Sequence, residues 1–295
     1  MVDRENNFDL VRLLASTQVM IYHGIEHFNF CENSIVLNKI FSALNYFHGV
    51  PIFFAISGFL IFMSYERSKS LIDYCYKRFL RLYPGLWVSF LVTLIILVIF
   101  GFINFNSLFE PSFWVWIVGQ LSFFQFYTPD LLRGYGLGNP NGNLWTIVVE
   151  VQFYVLIPLL FLFKRKTLLI IVLSVFGYLV SLYANSLEES IIVKLILINI
   201  VSVFFYFGMG MLLYQNFGKI KKYIEGKFLF WLIIYGLYVS IFSIYFQLYT
   251  PSYSPNLMGL IGDFILVILA FSAVFSSKKL SNKLLKGIDV SYGVY

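Results

Sequence analysis

The chain has 295 residues, of which 59% are hydrophobic, 20% aromatic and only 12% charged. A soluble domain carries about 25% charged residues, so the composition excludes a water-clothed globule and points to a polytopic membrane protein whose apolar surface faces lipid. The formal charge of +6 belongs to that class too, since basic residues mark cytoplasmic loops; no nucleic-acid partner is expected.

In chain order, apolar runs approaching the ~20 residues needed to span a bilayer fall near 8–28, 46–65, 82–103, 144–163, 167–184, 191–214, 228–249 and 259–275. The first is followed by no small-residue cleavage pattern and reads as a retained span. A further run, FWVWIVGQLSFFQFY at 113–127, is short and reads as an interfacial or re-entrant segment. The expected fold is all-α, a polytopic transmembrane helix bundle of about 8 to 10 spans forming one domain over 1–295. Charge orients it. With a cytoplasmic N-terminus the inner loops hold Arg67, Lys69, Lys77, Arg78, Arg81, the KRK at 164–166, Lys219, Lys221, Lys222, Lys227, Lys278, Lys279, Lys283 and Lys286, which is 16 of the 21 basic residues. That arrangement works only if 113–127 does not cross. The outer connection, 104–143, is the longest and carries Pro111, Pro129, Pro140 and the turn-rich GYGLGNPNGN, the kind of long loop that carries function. At the end, IDVSYGVY begins what reads as another apolar segment, so the C-terminal helix is expected to be incomplete. Cys31 and Cys75 flank the second run and fall on opposite sides, so no disulfide joins them, and no metal cluster is expected.

Ionisable residues inside spans are costly and face a cavity or a partner. Arg12 and His23 are eleven positions apart, about three turns, which places them on one helical face separated by about 16 Å. For Arg12 the structural alternative is a side chain snorkelling to the inner surface; for His23 it is a satisfied interior histidine. Asp9, one turn before Arg12, is placed to neutralise it. Glu150 sits in NLWTIVVEVQFYVLIPLL. Counting about 1.5 Å per residue puts it about 9 Å below the outer surface and His23 about 22 Å above the inner one, nearly one depth in a ~30 Å core. A carboxylate at the level of an imidazole can fix its tautomer and raise its basicity, as a general base requires; a buried pair that only ties two helices is the alternative. Asp263, near the outer end of its run, reads as interfacial. In YKRFLRLYP, Arg78 and Arg81 are neighbours on a helical face just before a span, with Pro84 shaping its start. They suit either a positive-inside anchor or a phosphate site.

Together these stretches resemble the acyltransferase-3 family of integral membrane acyltransferases. The motifs that carry the resemblance are NNFDLVRLLA with Arg12 and His23 in R-x10-H spacing, VPIFFAISGFLI at 50–61, KRFLRLYP at 77–84 and NLWTIVVEVQFY at 143–154. The resemblance implies a multi-pass enzyme of the cytoplasmic membrane that moves an acyl group, commonly acetyl, from acyl-CoA to hydroxyls of an extracytoplasmic polysaccharide or glycolipid. Acyl-CoA is then a co-substrate, and no permanently bound cofactor is expected. It further implies His23 as the catalytic histidine, Arg12 as its partner on the donor side and Glu150 as the essential acid. Arg78, Arg81, Asp9, Trp145, Tyr154, Asn143 and Ser57 are the substrate-binding candidates, with Ser57 and Gly58 matching the family's SG pair, expected first to pack helices closely. The pantetheine arm would thread inwards from basic residues while its phosphates stay at the surface. Whether His23 deprotonates the acceptor or is itself transiently acylated is open.

A transporter or flippase for a glycan or lipid-linked precursor is the rival reading, with Arg12, His23 and Glu150 as its ion or substrate path. A structural partner in a polysaccharide export assembly is a third.

Overall fold

The computed structural model describes residues 7–28, 44, 46–125, 127–134, 140, 144–188, 190–197, 199–245 and 257–276. Among these residues there are helices and no strands. They are α1 (Phe8–Phe28), α2 (Gly49–Glu66), α3 (Leu71–Ile99), α4 (Pro111–Leu121), α5 (Trp145–Phe161), α6 (Lys166–Asn185), α7 (Ile191–Leu197), α8 (Ile200–Gln215), α9 (Phe217–Ile224), α10 (Phe228–Val239) and α11 (Leu257–Val274). Asn143, Cys31 and the terminal SYGVY lie outside the described residues. The chain divides into two compact units, residues 1–63 with 160–294, and residues 64–159.

Among the described residues four helices are long and apolar enough to cross a membrane, Gly49–Glu66, Leu71–Ile99, Lys166–Asn185 and Leu195–Gln215. A fifth is counted if Phe217–Ile224 and Phe228–Phe242, bent by 79°, form one span. Among the described residues the other apolar runs give shorter or more polar helices, for local reasons. The first run is long enough but carries Asp9, Arg12 and Glu26, and α5 has 17 residues. Within the 191–214 run, Asn199 caps the start of α8 by accepting from the Val201 N–H at 2.7 Å. The run at 228–249 leaves the α-helix at Val239 for a π-helical turn over Ser240–Tyr245. The short run gives the 11-residue α4, about 16 Å long and too short to cross.

In the first unit α2 is the central helix: 72% of it is buried, against 33% for the apolar window of α6. It is hydrophobic on all sides, as a helix surrounded by others must be. Within lipid, apolar side chains gain little by leaving their surroundings, so close packing holds helices together. Gly58 and Gly210 show this. A β-carbon on Gly58 would overlap the Phe207 carbonyl, and one on Gly210 the Ala55 carbonyl, so only glycine lets α2 and α8 approach this closely.

Contacts fix the helix directions of this unit. Phe8 packs on Phe59 with ring centroids 5.4 Å apart, the Asn7 N–H donates to the Val274 carbonyl at 3.0 Å, and the Gly49 N–H donates to Gln18 Oε1 at 2.8 Å. Hence α1 runs antiparallel to α2 and α11. Thr167 bonds Gln215 at 3.0 Å and Ser181 bonds the Ser202 carbonyl at 3.2 Å, which sets α6 antiparallel to α8. One end of the unit gathers Phe8, Phe59, Tyr214, Phe217 and Phe275 in an aromatic cluster. Lys166 also lies at this end, its Nζ 3.8 Å from the Phe161 centroid. The other end carries His23, His48, Tyr206 and Asp263.

In the second unit α3 begins at Leu71, where Ser70 caps it by accepting from the Asp73 N–H at 3.1 Å. Arg78 and Arg81 lie on a helical face ahead of the apolar run, as the sequence reading has them, and Pro84 is interior to the helix. The cap and the Lys77–Asp73 bridge at 2.7 Å extend the helix a good ten residues ahead of the apolar run. Only 22% of the apolar window of α3 is buried, and Val88, Leu91, Val92, Ile95 and Ile99 face outwards. Its inner face packs Phe90 and Leu97 against Phe113, Trp116 and Leu132.

Candidate active site

The candidate residues form two groups, one in each unit. In the first, the 3.6-residue period of α1 places Arg12 and His23 on one face. Arg12 is 1% exposed, so its head does not snorkel to the surface. Its guanidinium lies over the Phe53 ring, 5.0 Å from the centroid, a contact that suits a planar, weakly hydrated cation. His23 is half-buried, with the Tyr22 ring edge-on at 5.6 Å. Asp9 is half-buried one turn before Arg12. One turn on from Phe53, Ser57 is buried, and its hydroxyl has no hydrogen-bond partner among the described residues.

The second unit joins three candidate residues into a continuous string. Glu150 is 2% exposed, and its Oε1 accepts from the Tyr154 hydroxyl, one turn later on α5, at 2.7 Å. The Tyr154 ring lies beneath the Arg78 guanidinium at 5.8 Å, and its backbone carbonyl accepts from the Tyr74 hydroxyl at 3.3 Å. Arg78 Nη2 donates to Ser64 Oγ at 3.1 Å, while its buried Nε has no partner among the described residues. Thus the carboxylate has a donor and the phenol is held at its ring and its backbone. The arginine keeps an N–H available to an added acceptor. Arg81, three residues after Arg78, and Trp145, at the first turn of α5, are both half-buried. His23 belongs to one unit and Glu150 to the other, so their pairing stays an expectation of the depth count.

Sequence reading missed one group. Asp263 is buried, 7% exposed: its Oδ1 lies 3.2 Å from His48 Nδ1, and its Oδ2 accepts from the Tyr206 hydroxyl at 2.6 Å. The signal in the sequence is a lone carboxylate seven residues into an apolar helix, with a histidine directly before α2. Gly58 meets the packing expectation through its contact with Phe207.

Comparison with known proteins follows the same lines. The acyltransferase-3 family model, described as an acyltransferase domain, matches residues 5–295. Nodulation protein 10 of Rhizobium leguminosarum bv. viciae is 31% identical over 98% of this chain and 81% of its own length. An O-acetyl transferase of Shigella phage Sf6 is 27% identical over 99% of this chain and 83% of its own. A peptidoglycan O-acetyltransferase of Listeria monocytogenes is 26% identical over 98% of this chain, which spans 48% of that longer protein. No solved structure matches the chain.

Proposed function

The chain belongs to the acyltransferase-3 family and is an acyltransferase, and on that premise we propose that it is a multi-pass O-acyltransferase of the cytoplasmic membrane. It moves an acyl group, foremost acetyl, from cytoplasmic acyl-CoA to a hydroxyl of an extracytoplasmic polysaccharide or glycolipid. The observation that carries this reading is the buried guanidinium of Arg12 on the same helical face as His23. A charge placed so deep in an apolar bundle has a functional use by default. The names of two relatives as O-acetyltransferases support acetyl and an oxygen acceptor, and the peptidoglycan named for one supports a glycan.

On this reading the N-terminus is cytoplasmic and the short helices α5 and α11 complete the set of spans begun by the longer ones. Arg78 and Arg81 hold the coenzyme phosphates at the inner face. The pantetheine arm reaches inwards past Ser57, whose hydroxyl donates to it, and Arg12 neutralises charge developing on the thioester oxygen. His23 takes the proton of the acceptor hydroxyl and that oxygen bonds to the thioester carbon. The carbon–sulfur bond breaks, and the leaving thiolate receives the proton back from His23 as free coenzyme A. In the covalent variant the imidazole nitrogen attacks first, coenzyme A leaves, and the hydroxyl then takes the acyl group from the histidine. Glu150 is the essential acid in either route. Asp9, Asn143, Trp145 and Tyr154 complete the substrate contacts.

The test is release of free coenzyme A from acetyl-CoA by purified protein in nanodiscs, with and without an acceptor glycan. A transporter would move glycan and consume no acetyl-CoA. A folded His23→Ala protein that acetylated glycan at the wild-type rate would exclude both chemical routes, and radiolabel retained from acetyl-CoA without acceptor separates the covalent one.

A further inference from the structure

The first unit contains a buried polar cluster that the acyl-transfer chemistry does not use. His48 precedes α2, while Tyr206 and Asp263 lie on the second turns of α8 and α11. Asp263 draws in both other residues, at 3.2 Å to His48 Nδ1 and 2.6 Å from the Tyr206 hydroxyl. Tyr178 on α6 and Tyr238 on α10 are also within electrostatic reach of the carboxylate, and the Tyr235 hydroxyl donates to the Tyr46 carbonyl nearby in the chain. Five segments thus bring a carboxylate, an imidazole and several phenols to one end of the unit.

That end is the one where His23 lies. Gly49, next to His48, bonds Gln18, and His23 is five residues, about 7.5 Å, further along α1. Lys166 lies at the opposite end, and α9, which continues from α8 there, adds Lys219, Lys221 and Lys222, so by the positive-inside rule the Asp263 end faces away from the cytosol.

A clamp between helices does not require this chemistry. A buried polar pair contributes little more than well-packed apolar residues of the same volume, and an acid inside a membrane bundle is costly to place. A carboxylate has about four acceptor positions; among the described residues Asp263 uses two, for His48 and Tyr206. The remaining lone pairs suit hydroxyl donors, and phenol rings suit the C–H faces of a pyranose. We propose that Asp263, held by His48 and Tyr206, is a binding subsite for the hydroxyls of the acceptor sugar. The inference rests on the acyl-transfer reading and adds the residues that select its acceptor.

Asp263→Asn and Tyr206→Phe, made in the full chain in nanodiscs, test it with acetyl-CoA and a panel of soluble peptidoglycan fragments and plain oligosaccharides. The expected result is an acceptor KM raised about tenfold or more, the worth of one lost hydrogen bond, with the KM for acetyl-CoA and the melting temperature unchanged. An unchanged acceptor KM overturns the proposal. So does a parallel shift of both KM values and the melting temperature, which marks a helix clamp. If the wild-type protein releases no coenzyme A with any glycan, the acyl-transfer reading is what fails. The subsite is then tested by equilibrium binding of the same glycans, and equal binding to wild type and Asp263→Asn, or none to either, overturns it.

Discussion

Replacing Tyr154 with phenylalanine removes one hydroxyl and leaves the rest of its setting in place. The ring still lies under Arg78, and the backbone carbonyl still accepts from Tyr74. What goes is the 2.7 Å bond to Glu150, whose carboxylate is 2% exposed and has no bulk water to replace the donor. A hydrogen bond to a charged group contributes about 1.5–3 kcal/mol net, and each 1.4 kcal/mol is about tenfold. If Glu150 must be held in one rotamer to act, kcat should fall about 10- to 150-fold, with the KM for acetyl-CoA little changed because Arg78 keeps its place. The assay is coenzyme A release by purified protein across an acetyl-CoA series, alongside a thermal melt to certify folding. Glu150→Gln is the companion, since it keeps the shape and removes the charge. If Tyr154→Phe retained wild-type kcat while Glu150→Gln lost it, the phenol would have no part in positioning the acid, and the string from Ser64 to Glu150 would be packing alone.

Other substitutions follow from the same geometry. Arg78→Ala should raise the KM for acetyl-CoA about tenfold, and the effect should shrink as salt rises; a salt-independent change would contradict a phosphate role. Arg12→Lys should lower kcat at least about tenfold despite keeping the charge, because a hydrated ammonium cannot reproduce a planar cation over Phe53, and a melt should show the protein still folded. Gly58→Val should cost about 1–3 kcal/mol or more by overpacking, since its β-carbon meets the Phe207 carbonyl, a backbone atom that cannot swing away. Phe59→Ala, at a fully buried ring, should cost about 3–5 kcal/mol, the lost transfer energy plus the cavity left behind, read as a lower melting temperature in detergent.

What could be read from the sequence follows from what hydropathy measures. It registers apolar length, so the α1 bounds of Phe8–Phe28 and the apolar segments of α2, α3 and α6 were legible. Hydropathy cannot tell protein from lipid as the apolar neighbour, and so α2, 72% buried, and α3, 22% buried, gave the same signal. Helix starts set by a single side chain were equally hidden. Ser70 and Asn199 each cap a helix by accepting one backbone N–H, which sets the starts of α3 and α8. Arg12 and Glu150 stood out because charge inside an apolar run is rare. His48 did not, since a histidine at a span's edge is common, and only the fold reveals that residue 263 meets it.

The distribution of polar groups in the first unit gives its ends different chemistry. Lys166 lies at the end with the aromatic cluster, and α9 adds three lysines there. Acid, imidazole and phenol lie at the other end, at residues 263, 48 and 206. Antiparallel α1 connects the two, with Arg12 buried part-way and His23 towards the second. A bundle meant only to be stable in lipid has no use for such a gradient, because every buried polar group costs more than the leucine that would fill its place. A reaction that draws an anionic, phosphate-bearing donor to one face and a polyhydroxyl acceptor to the other has use for both ends and for the cation between them. The same logic predicts that exchanging Asp263 for asparagine and Arg78 for alanine gives separable losses, one read in the acceptor KM and the other in the donor KM.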